Sequence, residues 1–549
     1  MLSRPPSVPE RSPTLLAPPR SPLLPRLGFA LLAGLAMGLA PAPLSAFPLA
    51  WVALAPLWWW VVRATHWRTA LSLGLVWGAG YHSLAIAWVT GIHPMMWLGV
   101  PWLGSVAIAL FCWLAVTLWG ALLAGLWASL FWWGLRLGRQ SPAGIGFTSA
   151  HRLLLGVTLW CLAEAVWNAS PLWWTALAYT QSPNNLWLLH LGRLSGPTAV
   201  TAALVAVNGA LAEAGLSAWR SRHDALMLQQ HRAKRWLAIA LLLLLGTHAL
   251  GAELYWRPET PGEPLRVGLI QGNIPNEIKL NAEGWRRAIA GYTSGYEQLV
   301  DQDVEVVLTP ETALPFYWER QKQRSSFYAA IRDRGVPAWV GAYGEQGTSY
   351  TNSLFSIASD GRTLSRYDKV KLVPLGEYIP FAAVLGQFID RLSPLDAHLA
   401  AGNSNQQFDT PFGRAIAGIC YDSAFSHLFR RQVAAGGEFI LTASNNAHYS
   451  AAMPAQHHAQ DVMRAIEGDR WAARATNTGY SAFVSPHGRT LWMSPLNEYA
   501  THAETIERRQ TRTLYTRWGD WLLGVLGVLS LGSVLSQARA RRRDARPGG

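Results

Sequence analysis

The chain has 549 residues, half of them hydrophobic, and a formal charge of +13 at pH 7; at that length two or more structural units are expected. Residues 1–252 contribute +11 with only four acidic side chains, residues 539–549 contribute +4, and the stretch between them contributes −2. The basicity is therefore topological and excludes a nucleic-acid footprint, which would be a basic face on the folded part. It marks instead a membrane protein with a soluble domain inserted late in the chain.

Residues 1–25 are rich in Pro, Ser and Arg and are expected to be a disordered cytoplasmic N-terminus. A spanning helix needs about 20 mainly apolar residues. Seven candidate spans precede the soluble domain, near 27–44, 46–62, 69–89, 103–135, 153–169, 196–218 and 236–252. An eighth lies near 518–536 and is followed by an arginine-rich tail, 537–549. The fourth is long enough to tilt strongly or to hide a break. The first carries glycines and a Pro-Ala-Pro, so a signal peptide is its rival reading; its length, and the second run close behind it, favour a span.

Lys and Arg cluster before the first span (Arg4, Arg11, Arg20, Arg26), after the second (Arg63, Arg68), after the fourth, after the sixth and after the eighth. The intervening short loops hold almost none, Arg193 excepted. By the positive-inside rule both termini are cytoplasmic and residues 253–517 lie on the opposite face. Tryptophans such as Trp58, Trp132 and Trp173 sit near span ends and read as interfacial belts. Glu164 and Glu213 fall within or near spans, where a carboxylate is costly and often functional; the alternative for Glu164 is a hydrogen-bonded place inside the bundle, and for Glu213, close to a cytoplasmic end, contact with water.

From Leu265 the pattern changes to short apolar runs alternating with amphipathic ones, the mark of an α/β sheet. Strands are expected at "RVGLIQGNI", "VEVVLTPE", "PAWVGAYGE", "YTNSLFSIAS", "GRAIAGICYD", "EFILTASNN" and "GYSAFVSP". Helices are expected at 281–302, 319–334, near 422–435 and across 454–475. Ligands in such sheets bind beyond strand ends, and both Glu311 and Cys420 fall just past an apolar strand. Cys420 has no disulfide partner in its own domain; Cys112 and Cys161 lie inside spans. On pattern alone a capping glutamate and a core cysteine are the rival reading, and a catalytic pair stands slightly ahead of it. His448, His457 and His458 lack the paired spacing of a metal site, and no metal or cofactor is expected.

Three segments carry a resemblance when taken together: "TPETALP" (309–315), "YDKVKLVPLGEYIPF" (367–381) and "GICYDSAF" (418–425). They resemble the Glu–Lys–Cys signature of the nitrilase superfamily, and more closely that of its membrane branch, the apolipoprotein N-acyltransferases. "IQGNIP" (270–275), "SNNAHY" (444–449), "RATNTGYSAFVSPHG" (474–488) and "PLWWTALAYTQSP" (171–183) extend the likeness, as does the eight-span layout. It covers nearly the whole chain apart from the first 25 residues and the tail.

The resemblance implies a polytopic helical bundle of about eight spans (26–252 and 518–536) carrying a nitrilase-like αββα sandwich at 253–517. It implies Glu311 as general base, Lys369 as electrostatic stabiliser and Cys420 as nucleophile, with a backbone N–H near Tyr421 aiding the oxyanion. Lys371 is the rival to Lys369; the family spacing, with Glu eight residues after the lysine, selects Lys369 and marks Glu377. Asp422 and Asn445 are implied as supporting residues.

The implied activity moves an acyl chain from a membrane phospholipid, through a Cys420 thioester, to the N-terminal diacylglyceryl-cysteine amine of a lipoprotein, the last step of lipoprotein maturation. The implied setting is a bacterial inner membrane, with the catalytic domain periplasmic and the protein monomeric. A membrane-tethered amidase acting on small amides is the alternative; a transporter or scaffold whose soluble domain only binds is a further one. Residues 381–402, apolar and charged by turns, are expected to form a mobile membrane-facing lid. The chain departs from the family pattern at Thr309 and Leu280, where Trp is usual, at Asp422, where Glu is usual, and at "NNAH" (445–448), where Asn-Asp-Ala-Trp is usual. These departures bear on acyl-chain and lipopeptide contacts, and His448 is the last of them.

Overall fold

Small residues set the packing of the first helices. The computed structural model describes residues 23–137, 148–224, 227–258, 260–374, 376–378 and 399–544. Its helical half contains α1 (Leu23–Gly38), α2 (Ala55–Arg63), α3 (Trp67–Ala85), α4 (Trp102–Leu137), α5 (Ser149–Asn168), α6 (Pro197–Asp224) and α7 (Met227–Tyr255). A Cβ on Gly34 would stand 2.0 Å from the Trp77 carbonyl oxygen, and one on Gly78 would stand 2.7 Å from the Ala121 Cα. Helix α3 thus lies backbone to backbone with α1 and α4, an approach that small residues permit between apolar helices.

Among the described residues, three helices are able by length and composition to cross a membrane: Trp102–Arg136, Pro197–Arg220 and Gln230–Tyr255. The fourth apolar run is one unbroken helix. The second is not: a 3-10 turn, Phe47–Trp51, precedes the short α2, and each has a proline in its first turn. Proline lacks the N–H that would continue a preceding helix, so it restarts the chain there. Phe111 and Leu114 on α4, with Leu242 and Leu245 on α7, face outwards, as side chains solvated by lipid do.

The later half opens with β1 (Glu263–Gln271), then α8 (Ala282–Val300), β2 (Val306–Leu308), β3 (Leu314–Tyr317), α9 (Ser326–Arg334), β4 (Ala338–Gln346), β5 (Ser349–Ile357) and β6 (Thr363–Asp368). It continues with β7 (Phe408–Thr410), β8 (Gly413–Ile419), α10 (Ser426–Ala434), β9 (Phe439–Ser444), α11 (Ala452–Gly468), β10 (Ala472–Thr476), β11 (Ala482–Val484), β12 (Thr490–Met493) and β13 (Ala500–Arg508). The last long helix is α12 (Trp521–Asp544), joined to α5 by a 2.7 Å bond between Ser530 Oγ and Thr158 Oγ1.

One sheet runs β13-β1-β2-β4-β5-β6 with β3 paired to β4; the other runs β12-β11-β10-β9-β8-β7. Val267, Leu308 and Trp339 of the first meet Ile419, Leu441 and Phe483 of the second in a core between the sheets. Helices α8 and α9 cover the outer face of the first sheet through Tyr292, Tyr296, Phe327 and Ile331. On the second sheet, α10 and α11 do the same, and their apolar cluster continues unbroken into the helical half through Trp174, Leu188 and Leu189. The soluble layers are therefore an αββα sandwich seated on the helices.

Two expected helices are overturned. The one across 454–475 ends at Gly468, where Asp469 turns left-handed (φ 54°) and releases the chain to lay β10 between β9 and β11. The one across 319–334 is broken into Trp318–Gln321, a 3-10 turn at Lys322–Arg324, and α9. Near 422–435 the chain forms a 3-10 turn, Cys420–Ala424, before α10. Residues 1–22 of the expected N-terminal tail, 381–398 of the expected lid and 545–549 of the basic tail lie outside the described residues.

Gly34→Val is expected to lower the melting temperature of the detergent-solubilised protein, since overpacking of this kind costs about 1–3 kcal/mol. Gly28→Val, at a position with nothing within 4 Å, is the control and should leave it unchanged. Thermal unfolding followed by tryptophan fluorescence measures both.

Candidate active site

Three chain segments end at one place. Glu311 stands three residues beyond β2, Lys369 directly follows β6 and Cys420 directly follows β8. The approach of the first is tight: a Cβ on Gly341 would sit 1.9 Å from the Pro310 carbonyl oxygen. That glycine lets β4 press against the segment bearing Glu311. Thr309, where the family pattern has Trp, serves the same junction: its hydroxyl accepts from the Gly341 N–H at 3.0 Å.

Lys369 is 1% exposed, and its ammonium lies between two carboxylates. It donates to Glu311 Oε1 at 2.9 Å and to Glu377 Oε1 at 2.8 Å. Asn352 Nδ2 donates to the same Glu311 oxygen at 2.6 Å. Glu377 also accepts the Val373 N–H through Oε2 at 2.8 Å, so it holds its own turn as well as the lysine. Lys371 takes no part in this cluster; its ammonium rests 4.3 Å above the Phe425 ring.

The charges fix the protonation states. Burial alone would raise the Glu311 carboxyl, but the adjoining Lys369 ammonium, helped by Lys279 and Asn352, outweighs it and holds Glu311 below the usual glutamate range. Burial would lower Lys369, yet Glu311 and Glu377 carry it well above the ordinary lysine value. Burial, then the negative Glu311, push the Cys420 thiol up to about 12. At neutral pH the group is a carboxylate, an ammonium and a thiol close enough that each shifts the proton affinity of the others.

Asp422, Tyr421 and Asn445 surround this cluster without joining it. The Asp422 carboxylate accepts from the Lys371 N–H at 2.8 Å, from the Ile419 N–H at 3.1 Å and from the Tyr367 hydroxyl at 3.1 Å. It therefore clasps the lysine segment to the cysteine turn, and burial raises it to about 6. The Tyr421 side chain points away, donating to the carbonyls of Trp173 at 2.7 Å and Pro171 at 2.9 Å in the helical half. Asn445 brings its carbonyl oxygen 3.9 Å from Cys420 Sγ, while its amide side chain is held by Asn276 and Asn477.

Two contributors had no readable signal in the sequence. Asn352 is an internal residue of β5, and Lys279 lies in the short helix Asn276–Lys279, one residue before Leu280. Lys279 donates to the Glu311 carbonyl oxygen at 3.1 Å, and burial lowers it to about 8. Leu280 itself is 56% exposed. His448 stacks on Trp97 with ring centroids 6.1 Å apart. Among the described residues no group of three or more His, Cys, Asp or Glu is arranged to hold a metal. Glu164 accepts from Trp160 Nε1, the Leu177 N–H and Thr201 Oγ1, and Glu213 pairs with Arg152, so both are satisfied within the bundle.

A family model described as carbon-nitrogen hydrolase matches residues 266–514, and one described as the apolipoprotein N-acyltransferase N-terminal domain matches residues 33–210. The chain is similar to an apolipoprotein N-acyltransferase of Nostoc sp., 56% identical over 500 residues, which are 90% of this chain and 96% of that one. It is similar also to those of Synechocystis sp., 50% identical over 509 residues (90% of this chain, 97% of that one), and Thermosynechococcus vestitus, 45% identical over 510 residues (92% and 94%).

Lys369→Ala is expected to cut turnover by at least about 100-fold, the scale of losing one preorganised stabiliser, and Lys371→Ala by less than about threefold. Steady-state rates of the two purified variants distinguish the lysines.

Proposed function

The chain belongs to the apolipoprotein N-acyltransferase family, and from that premise we propose that Cys420 carries an acyl group from a membrane phospholipid to a lipoprotein's N-terminal amine. The protein is an acyltransferase of lipoprotein biosynthesis and a bacterial membrane protein; the donor, the residues and the two-step route are the proposal. The amidase reading is not favoured, because the N-terminal match and the relatives are those of N-acyltransferases.

In the first half-reaction Glu311 takes the thiol proton as Cys420 Sγ bonds to the ester carbonyl carbon of the phospholipid. Lys369 and the Tyr421 backbone N–H balance the charge that develops on the carbonyl oxygen. The ester C–O bond then breaks, Glu311 returns its proton to the leaving glycerol oxygen, and lysophospholipid departs from a Cys420 thioester. In the second half-reaction the α-amine of the S-diacylglyceryl-cysteine attacks that thioester and Glu311 accepts a proton from the nitrogen. The C–S bond breaks, the proton passes to sulfur, and the products are an N-acyl amide and the free thiol. The observation that carries this reading is the buried pair of Glu311 and Lys369, 2.9 Å apart, beside the protonated Cys420.

The positive-inside pattern and the apolar runs support a bundle of about eight spans over 26–252 and 518–536. They support cytoplasmic termini, a periplasmic catalytic domain at 253–517 and a basic cytoplasmic tail at 537–549. Nothing in the mechanism requires a second copy, and the proposal is a monomer in the inner membrane.

Purified protein given phospholipid and a diacyl lipopeptide should yield triacyl lipopeptide and lysophospholipid in equal amounts, with no ammonia released from small amides. Cys420→Ala should abolish the transfer; persistence of triacyl product in that variant would contradict the mechanism. The pH profile follows from the direction of the Glu311 shift. In the first half-reaction, which no substrate amine enters, the active form is the carboxylate and its pKa is lowered, so the rate of acylation by phospholipid alone should stay level as pH falls from 8 to about 5 and decline only below the usual glutamate range. A midpoint above pH 6 would contradict the assignment of Glu311 as base.

A further inference from the structure

Cys420 has a left-handed backbone, φ 49°, which an L residue keeps only where its surroundings over-determine it. The mechanism above leaves one of those surroundings unused. His457, fully buried on α11, approaches the Cys420 carbonyl oxygen with Nε2 at 2.8 Å. A carbonyl only accepts, so Nε2 carries the proton and donates. The other nitrogen must then accept, and it meets donors alone: Arg474 Nη2 at 2.6 Å and Asn446 Nδ2 at 3.2 Å. Both ring nitrogens are committed and only one tautomer satisfies them.

Arg474 is in turn fixed. It pairs with Asp461, itself bonded to Thr442 Oγ1 at 3.1 Å, and donates to Ser444 Oγ at 2.9 Å. Trp174 of the helical half closes the remaining side with its ring edge, 5.7 Å between centroids. Burial and the adjacent arginine push the His457 pKa down to about 3, so the ring stays neutral and its accepting lone pair persists at any working pH. A buried line of contacts thus runs from Asp461 through Arg474 and His457 to one backbone oxygen beside the nucleophile.

That oxygen belongs to the same planar, trans peptide as the Tyr421 N–H, and in such a unit the C=O and N–H point in opposite directions. Holding one therefore aims the other. We infer that His457 is a positioning residue for the acyl transfer: by anchoring the Cys420 carbonyl it fixes the Cys420–Tyr421 peptide so that the Tyr421 N–H is presented to the acyl oxyanion. The inference rests on the acyl-enzyme reading above and adds the residue that sets its backbone donor.

Two reactions of the same thiol separate this role from a merely structural one. Acylation by phospholipid passes through an oxyanion; alkylation by iodoacetamide is a displacement at carbon and does not. In His457→Phe the acylation rate, followed by intact mass, should fall about 10- to 100-fold, the scale of a misplaced oxyanion donor, with the alkylation rate within about threefold of normal. His457→Gln keeps a donor at the position of Nε2 and should recover most of the loss. His457→Met is carried beside the Phe variant so that a folding failure of one leaves the comparison intact.

Equal acylation in His457→Phe and the unsubstituted protein would overturn the inference, and so would acylation and alkylation falling in step. A His457→Gln protein as slow as His457→Phe would overturn it too. An unsubstituted protein that is alkylated but never acylated would overturn the acyl-enzyme reading itself, a result distinct from these.

Discussion

An ammonium group buried between two carboxylates is the arrangement on which the rest of this protein depends. Removing each of these ions from water carries a penalty of several kcal/mol, which mutual attraction repays only at close, well-bonded geometry. Lys369 meets that condition through Glu311 and Glu377, with Asn352 bonding the same Glu311 oxygen. Those groups come from three separate stretches of chain, around 311, 352 and 369–377, so the pair forms only where these stretches are held in register. Asp422 ties the lysine segment to the cysteine turn through backbone amides on both. One methylene shorter than the family's usual glutamate, it still reaches them.

The helical half does more than anchor this domain. Tyr421, next to Cys420, donates to two carbonyls in the loop following α5. Gln456 at the start of α11 accepts from the indoles of Trp88 and Trp174 and donates to the Ala85 carbonyl. The apolar cluster beneath α10 and α11 is shared with the bundle. Among the described residues, these bonds and this shared cluster hold the sandwich against the helices that face outwards.

The residues that the structure gathers around Lys369 were more legible in the sequence than several of the elements were. Glu311 and Cys420 each follow a short apolar run, and the family's eight-residue spacing to Glu377 separated Lys369 from Lys371. The helix read across 454–475 failed because "EGDRWAARAT" keeps helical composition; its break depends on a left-handed Asp469 and on strand neighbours that local pattern does not carry. β13 was missed since its pairing with β1 spans more than two hundred residues and its exposed side reads as polar loop. Asn352 and Lys279 act through geometry that only the folded chain creates. Tyr421 was expected to lend a backbone N–H to the site; its side chain serves the junction with the bundle.

The central claim is that Cys420 holds the acyl group between two half-reactions. Its most direct test is intact mass spectrometry of the purified protein after incubation with phospholipid alone, beside Cys420→Ala. The account requires a mass increase of one acyl group, removed by hydroxylamine and discharged by added diacyl lipopeptide, and absent from the variant. Folded protein that turns over both substrates together yet never carries the adduct, or carries it equally in Cys420→Ala, would contradict the account.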